Sequence, residues 1–212
     1  MPRQTFALEH GQPKRLKVAW KWGWKDLTIS LDGQPVGAIP DQMALTGGQD
    51  FPLPDGSTLH VQLVRRMNEN ELDLRRDGKP LPGTSSDPLT VLDTAAGITF
   101  VVAGFNLLAG LAALIFDIPF LRQMGVGLAT AIFGACFFLL GYLVRLRSLP
   151  ALMAAIVAFA LDGILRIALA SYLGYTPGVA GILARLILIV PMIQGVAAIK
   201  ALRPEKKKRK KK

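Results

Sequence analysis

Cysteine and histidine are scarce in this chain, which has one Cys and two His among its 212 residues. Cys136 has no second cysteine to pair with, so an intrachain disulfide is excluded. His10 and His60 have no matched ligands near them in the sequence, so a zinc site of the Cys/His type is not expected. The sequence therefore predicts neither a metal centre nor a cofactor.

Motifs of the common enzyme classes are also missing. The chain contains no G-x-S-x-G, no phosphate-cradling glycine loop and no H-E-x-x-H. Without a visible nucleophile–base pair or metal constellation, an enzyme is not the expected function. The first twenty residues also lack an apolar h-region, so we do not expect a cleavable signal peptide.

Charged residues make up 19% of the chain and are unevenly distributed, with a formal net charge of +10. Through Asp87 there are eleven basic and eleven acidic residues, whereas 89–200 has six basic and three acidic ones. The last twelve residues hold eight basic residues and one acidic residue. This distribution excludes a uniformly basic nucleic-acid-binding globule. It also excludes an ordinary soluble enzyme, because half the chain is almost free of charge.

Four apolar stretches follow Asp87, each near the roughly 20 residues that cross a hydrocarbon core. Short connections between them predict a compact four-helix transmembrane bundle over 91–202, with Asp93-Thr94 as a candidate cap of the first helix. The four predicted helices are 91–116, 123–145, 150–173 and 178–201.

Loop charges predict the orientation of these helices. Arg145 and Arg147 flank the second connection and the basic tail 203–212 follows the last helix, whereas the other connections contain only Arg122. The positive-inside rule then places the N-terminal domain and both termini in the cytoplasm. The expected location is the inner (plasma) membrane of a bacterium.

The basic tail is expected to lie against anionic lipid headgroups, because each basic residue near such a surface contributes about 1 kcal/mol. Nucleic acid also attracts such runs, but no aromatic or recognition element accompanies this one, so nucleic acid is the less favoured partner. The lipid-binding residues would be Lys206, Lys207, Lys208, Arg209, Lys210, Lys211 and Lys212.

Small residues recur at seven-residue spacing in the first two predicted helices. In lipid, small residues allow helix backbones to approach closely. We interpret these residues as packing positions within the bundle, and a homo-oligomer seam is the alternative. The residues concerned are Ala96, Ala103 and Gly110, beside Gly97 and Gly104, on the first helix and Gly127, Gly134 and Gly141 on the second.

Charged side chains also occur inside the predicted third and fourth helices. Asp162 and Arg166 are one helical turn apart, and a rise of about 1.5 Å per residue brings Arg185 of the next helix to the level of Asp162. The cluster is either an internal salt bridge that joins the helices or a site for a proton, ion or small polar ligand. Its expected members are Asp162, Arg166, Arg185, Asn106 and Gln194.

Residues 15–86 are predicted to form a small all-β domain, between a flexible lead-in at 1–14 and a linker at 87–90. Alternating apolar residues from Leu16 to Trp24 indicate one strand, and a shift of phase near 25–26 indicates a bulge or corner. Five or six short strands predict a small sandwich or a partly open barrel.

Three tryptophans alternate along the first predicted strand of this domain. Trp20, Trp22 and Trp24 would share one face, and filling of the core is the favoured interpretation. The alternatives are a binding face or contact with the membrane interface.

The chain resembles uncharacterised bacterial multi-pass membrane proteins that carry a small N-terminal β-domain. The resemblance implies this architecture and no activity. The segments that carry it are LRRDGKPLPGTSSDP (74–88), FVVAGFNLLAG (100–110), FALDGI (159–164) and VPMIQGVAAIKAL (190–202).

Three functional hypotheses follow. The leading one is a non-enzymatic anchor or scaffold whose cytoplasmic β-domain binds a protein partner, for instance along an open sheet edge. The alternative is a small transporter or channel subunit that uses Asp162, Arg185 and Asn106. The third is a membrane enzyme of unrecognised type.

Overall fold

The computed structural model describes residues 1–66, 69–119, 125–172 and 179–202. The chain forms two compact units, Met1–Thr90 and Val91–Lys212. The first contains two small antiparallel sheets, and the second contains long apolar helices. The predicted fold class, helical membrane segments plus a small all-β domain, is therefore confirmed.

The first unit consists of two four-stranded antiparallel sheets in which each strand pairs with its neighbour in sequence. The first sheet comprises β1 (Arg3–Ala7), β2 (Lys14–Lys21), β3 (Lys25–Leu31) and β4 (Gln34–Ile39). A short helix, α1 (Gln42–Gly47), leads to the second sheet. That sheet comprises β5 (Gln49–Pro52), β6 (Thr58–Arg66), β7 (Glu69–Arg76) and β8 (Lys79–Pro80). Both sheets are open, and neither closes into a barrel.

One hydrophobic core is shared by the two sheets. Leu16 and Val18 of β2 and Leu59 and Val61 of β6 are fully buried members of it, and Leu45 of α1 joins them. The buried residues alternate with exposed ones along β2 and β3, as expected for strands with one face on a core. The result is a two-layer arrangement with polar outer faces.

The flexible lead-in predicted for 1–14 is wrong for its first half. β1 pairs antiparallel with β2, and Phe6 lies opposite Leu16 with only 7% of its surface exposed. The segment has no clear alternation of apolar residues that would predict a strand. Backbone hydrogen bonds to β2 place it in the sheet, and such bonds leave no side-chain pattern in the sequence.

The single strand predicted from Leu16 to Trp24 is also wrong. β2 ends at Lys21, and the chain reverses through Trp22, Gly23 and Trp24 before β3 begins. Gly23 and Trp24 have positive φ angles of 76° and 60°, a conformation that glycine adopts without steric cost. The register of β2 and β3 also shifts between Ala19 and Lys21, opposite Asp26, whose φ is 48°, so the bulge or corner predicted near 25–26 is present beside the turn.

The predicted linker at 87–90 is part of an ordered helix start. Asp87 is almost fully buried, and α2 (Pro88–Ile115) begins directly after it. The Asp87 carboxylate accepts hydrogen bonds from the Leu89 amide at 3.2 Å and the Thr90 hydroxyl at 3.0 Å. Asp87 followed by proline is a favourable helix start, so the cap is Asp87 and not Asp93-Thr94.

The second unit contains α2 together with α3 (Leu128–Arg145), α4 (Leu149–Tyr172) and α5 (Val179–Leu202). All four helices are long and apolar enough to cross a membrane, which indicates an integral membrane protein. The predicted second helix began at 123, but α3 begins at Leu128. Gly125 has a φ of 73° and Gly127 precedes the first helical residue, so the chain turns before α3.

The four helices share a core in which each contributes at least one buried residue, such as Leu92, Phe137, Leu152 and Met192. Glycines mark the closest approaches. A Cβ added at Gly134 of α3 would lie 2.4 Å from the backbone nitrogen of Leu107 in α2. The close packing of α2 on α3 is therefore possible because Gly134 has no side chain.

The predicted glycine seams are only partly realised. Gly141 contacts the Phe100 ring, because its added Cβ would lie 3.1 Å from two ring carbons. In contrast, Gly97 and Gly104 face open space among the described residues, and Gly127 lies outside the helix. Gly195 of α5, which was not among the predicted packing residues, also marks a close contact, because an added Cβ there would lie 2.6 Å from the Ala95 Cβ.

We expect Gly134→Ala to lower the free energy of unfolding by about 1–3 kcal/mol, because the new methyl group would overlap the α2 backbone. Gly97→Ala is the matched control. Its methyl group meets no described atom within 4 Å, and alanine favours the helix by up to about 1 kcal/mol. Thermal unfolding of the purified protein in detergent measures both, and equal midpoints for the two variants would contradict the described packing.

Candidate functional site

A charged cluster joins α4 and α5. Arg166 donates from Nε to both carboxylate oxygens of Asp162, at 3.1 and 3.0 Å, one turn along the same helix. Arg185 of α5 donates from its second terminal nitrogen to Asp162 Oδ2 at 2.7 Å. Its other terminal nitrogen donates to the Phe159 carbonyl at 3.3 Å. One carboxylate thus binds two guanidinium groups and ties the two helices together.

Two residues that sequence analysis did not single out position Arg185. The Phe159 ring lies under the guanidinium, with 5.2 Å between Cζ and the ring centroid, which is within cation–π range. Gly163 leaves room for the side chain, because an added Cβ there would lie 3.2 Å from one terminal nitrogen. Both residues flank Asp162 in the segment FALDGI. An aromatic residue about one turn before the acid and a glycine directly after it are the sequence features that could have predicted a site for an arginine from a neighbouring helix.

The cluster is shielded but not sealed. The exposed fraction of the side chain is 17% for Asp162, 28% for Arg185 and 37% for Arg166. Because Asp162 accepts hydrogen bonds from both arginines, the arrangement offers the salt-bridge role that the spacing of Asp162 and Arg166 predicted.

The structure does not bring the other two predicted members to the cluster. Asn106 donates from Nδ2 to the Val102 carbonyl, 2.8 Å away and one turn back in its own helix. Gln194 is exposed and, among the described residues, makes no hydrogen bond to the cluster. A shared level along the helix axes does not place side chains on facing sides, and an amide can bond its own backbone instead.

The three tryptophans of the β-unit have different environments. Trp20 and Trp24 stack on each other with ring centroids 4.7 Å apart and an interplanar angle of 13°, and both pack against the core. Trp22 lies between them in sequence, at the tip of the β2–β3 hairpin, with 93% of its surface exposed. The stacked pair holds the base of the hairpin and leaves Trp22 in solvent.

Ion pairs and turn hydrogen bonds in the β-unit have structural explanations. The Arg15 guanidinium hydrogen-bonds Asp32, which lowers the pKa of that carboxyl. The Ser57 hydroxyl and amide bind Asp55 at a turn, and these hydrogen bonds lower the pKa of Asp55. No group of three or more His, Cys, Asp or Glu that could hold a metal ion occurs in the described part of the chain.

The basic tail, Lys206 to Lys212, lies outside the described residues, as do Arg122 and the connection between α4 and α5. Searches against protein-family models, curated proteins and solved structures found no match for this chain.

We expect Asp162→Asn to destabilise the helical unit by about 2–4 kcal/mol, because it leaves two guanidiniums without a counter-charge. Replacing Asp162, Arg166 and Arg185 together by leucine should restore most of that loss, since no unpaired charge remains. Asp93→Asn, at an exposed acid in α2, is the control. Chemical unfolding in detergent measures all three, and a triple variant less stable than Asp162→Asn would contradict a structural role.

We expect Trp20→Ala to loosen the β2–β3 hairpin by about 1–3 kcal/mol, because it removes the stacked pair and part of the core. Trp22→Ala should change local stability by less than about 0.5 kcal/mol, since its ring touches little. Amide hydrogen exchange over residues 14–31 of the full-length protein reports both. Equal protection in the two variants would contradict the different environments of these rings.

Proposed function

We propose that this protein is a non-enzymatic membrane anchor whose β-unit binds a protein partner by adding a strand to the edge of its first sheet. The observation that carries the proposal is the open edge at β1. Within the described residues β1 pairs with β2 on one side only, so the backbone groups on its other side have no strand partner. Extended peptides bind to such edges through main-chain hydrogen bonds.

The register identifies the amides that face the open edge. The Trp20 amide donates to the Pro2 carbonyl at 3.1 Å, which makes residues 2 and 20 a hydrogen-bonded pair. Hydrogen-bonded and non-hydrogen-bonded pairs alternate in antiparallel ladders, so Gln4 and Phe6 bond β2. The amides of Arg3 and Thr5 therefore point away from β2 and can pair with a partner strand.

Trp22 lies at the same end of the sheet as the start of β1. Arg3 is paired with Ala19, and the hairpin tip with Trp22 follows a few residues later. A strand bound along β1 would pass near this exposed indole. Tryptophan is enriched among residues that dominate binding energy, and the Trp20–Trp24 stack limits the freedom of the tip.

The charged cluster supports an anchor better than a transporter. Both oxygens of Asp162 already accept from Arg166, and one also accepts from Arg185, so the acid has its counter-charges within the chain. The transport hypothesis required Asn106 at the same site, and Asn106 bonds its own helix instead. The cluster thus supports a role in holding α4 on α5.

We further propose that the protein resides in a bacterial inner membrane with both termini in the cytoplasm. The support is the pair Arg145 and Arg147 between α3 and α4, together with the basic tail at 203–212. In this orientation the tail binds anionic headgroups of the inner leaflet, and the β-unit meets cytoplasmic partners.

The test uses the full-length protein in native membranes, with a photoreactive phenylalanine analogue in place of Trp22. In this background, Thr5→Pro removes one outward amide of β1 but no hydrogen bond to β2, since proline is tolerated at an edge position whose amide faces solvent. Thr5→Ala keeps the amide and is the matched control. We expect a specific crosslinked partner with Thr5→Ala and its loss, about tenfold, with Thr5→Pro.

Crosslinking that is equal in the two variants would contradict strand addition at β1. The absence of any specific product in either variant, with the analogue incorporated and the protein folded, would contradict partner binding at this end of the sheet. Placing the analogue at Tyr172, an exposed position at the end of α4, measures the non-specific background.

A further inference from the structure

The membrane helices carry more positive charge than the charged cluster balances. Asp162 is the one acidic residue between Leu128 and Leu202, and it faces the two guanidiniums of Arg166 and Arg185. We propose that Arg166, supported by Asp162 and Arg185, binds a phosphate group, either in a phospholipid headgroup or as inorganic phosphate. This binding site is independent of the anchor function proposed above.

Arg166 has hydrogen-bond donors to spare. It contacts Asp162 through Nε alone, so its two terminal nitrogens have no hydrogen-bond or ion-pair partner among the described residues. With 37% of its side chain exposed, the planar group can be reached from outside the helices. Guanidinium forks bind phosphate oxygens through two parallel hydrogen bonds.

Arg185 is a positioning residue at this site. Its terminal nitrogens are committed to Asp162 and to the Phe159 carbonyl, so it adds charge and does not contact the ligand. By sharing Asp162 it leaves the local net charge at +1, which a phosphate monoanion would neutralise. An unbalanced charge in a low-dielectric environment is costly, and an anion would remove that cost.

The depth of Arg166 fits a headgroup phosphate. α4 ends at Tyr172, and Arg166 lies six residues before that end, about 9 Å along the axis. Arginine side chains near helix ends extend toward the headgroups while their methylene groups stay among the lipid tails. A phospholipid phosphate at this boundary would be within reach of the guanidinium.

The experiment measures ligand binding to the full-length protein purified in an uncharged detergent. The probes are phosphatidylglycerol, diacylglycerol with the same acyl chains, and inorganic phosphate. Binding is measured by native mass spectrometry for the lipids and by the shift of the unfolding midpoint for phosphate. Lipid is added at about 0.5 M salt, where attraction to the basic residues at 203–212 is strongly screened, before exchange into a volatile buffer.

We expect Arg166→Gln to weaken phosphatidylglycerol binding about tenfold or more, because charge-assisted hydrogen bonds to the phosphate are lost. Arg145→Gln, which removes an arginine in the last turn of α3, should bind as the wild type does. Arg166→Lys keeps the charge but lacks the fork, so intermediate affinity is expected. This variant carries the test if Arg166→Gln does not fold.

The probes distinguish the two sources of phosphate. Binding of phosphatidylglycerol but not inorganic phosphate, with loss in Arg166→Gln, supports a lipid headgroup as the ligand. Binding of inorganic phosphate with the same dependence on Arg166 supports a soluble ligand at the same site. Diacylglycerol that binds as tightly as phosphatidylglycerol would overturn the proposal, and so would wild-type affinity in both Arg166 variants.

Discussion

The helical unit depends on a single carboxylate that hydrogen-bonds two guanidinium groups within its apolar helices. Asp162 accepts hydrogen bonds from Arg166 within α4 and from Arg185 of α5. The same contacts therefore hold the two helices together and stabilise charged side chains inside apolar helices. Small residues complete the arrangement, because Gly163 leaves space for Arg185 and Gly195 lets α5 approach α2. The charges are thus accommodated by a specific contact and not by apolar bulk alone.

The β-unit is subject to a different constraint. It buries its apolar residues between two open sheets, and because the sheets do not close into a barrel, their edge strands remain unpaired on one side. Its two sheets share a single core, and the hairpin at Trp22 and the edge at β1 are left outside it. Buried Asp87 lies near the end of this unit, and its carboxylate caps the start of the first membrane helix. We propose an anchored binding module because the β-unit forms its own core and has exposed outer faces, whereas in the helical unit Asp162 pairs with the two arginines.

Periodic patterns in the sequence predicted which segments are helices and which are strands. They did not always predict which face of a helix contacts its neighbours. Hydropathy was sufficient to predict the four membrane helices, and the four-residue spacing of Asp162 and Arg166 was sufficient to predict the ion pair between them. The spacing of Gly97 and Gly104 resembles that of Gly134 and Gly141, yet only the second pair contacts a neighbouring helix. The rotation of a helix about its axis follows from all its neighbours together, so one helix sequence does not specify it.

The amino-acid sequence by itself determined the membrane helices, their charge asymmetry and the β character of residues 15–86, because each follows from local hydropathy and local periodicity. Only the tertiary structure decided that Trp22 is exposed between two stacked tryptophans, that Arg3–Ala7 is a strand, and that Asn106 lies apart from Asp162. The pairing of β1 with β2 and the rotation of α2 about its axis are set by partners distant in sequence, which a local pattern does not record. The turn that exposes Trp22 depends on the positive φ angles of Gly23 and Trp24, which the alternation of apolar residues does not reveal.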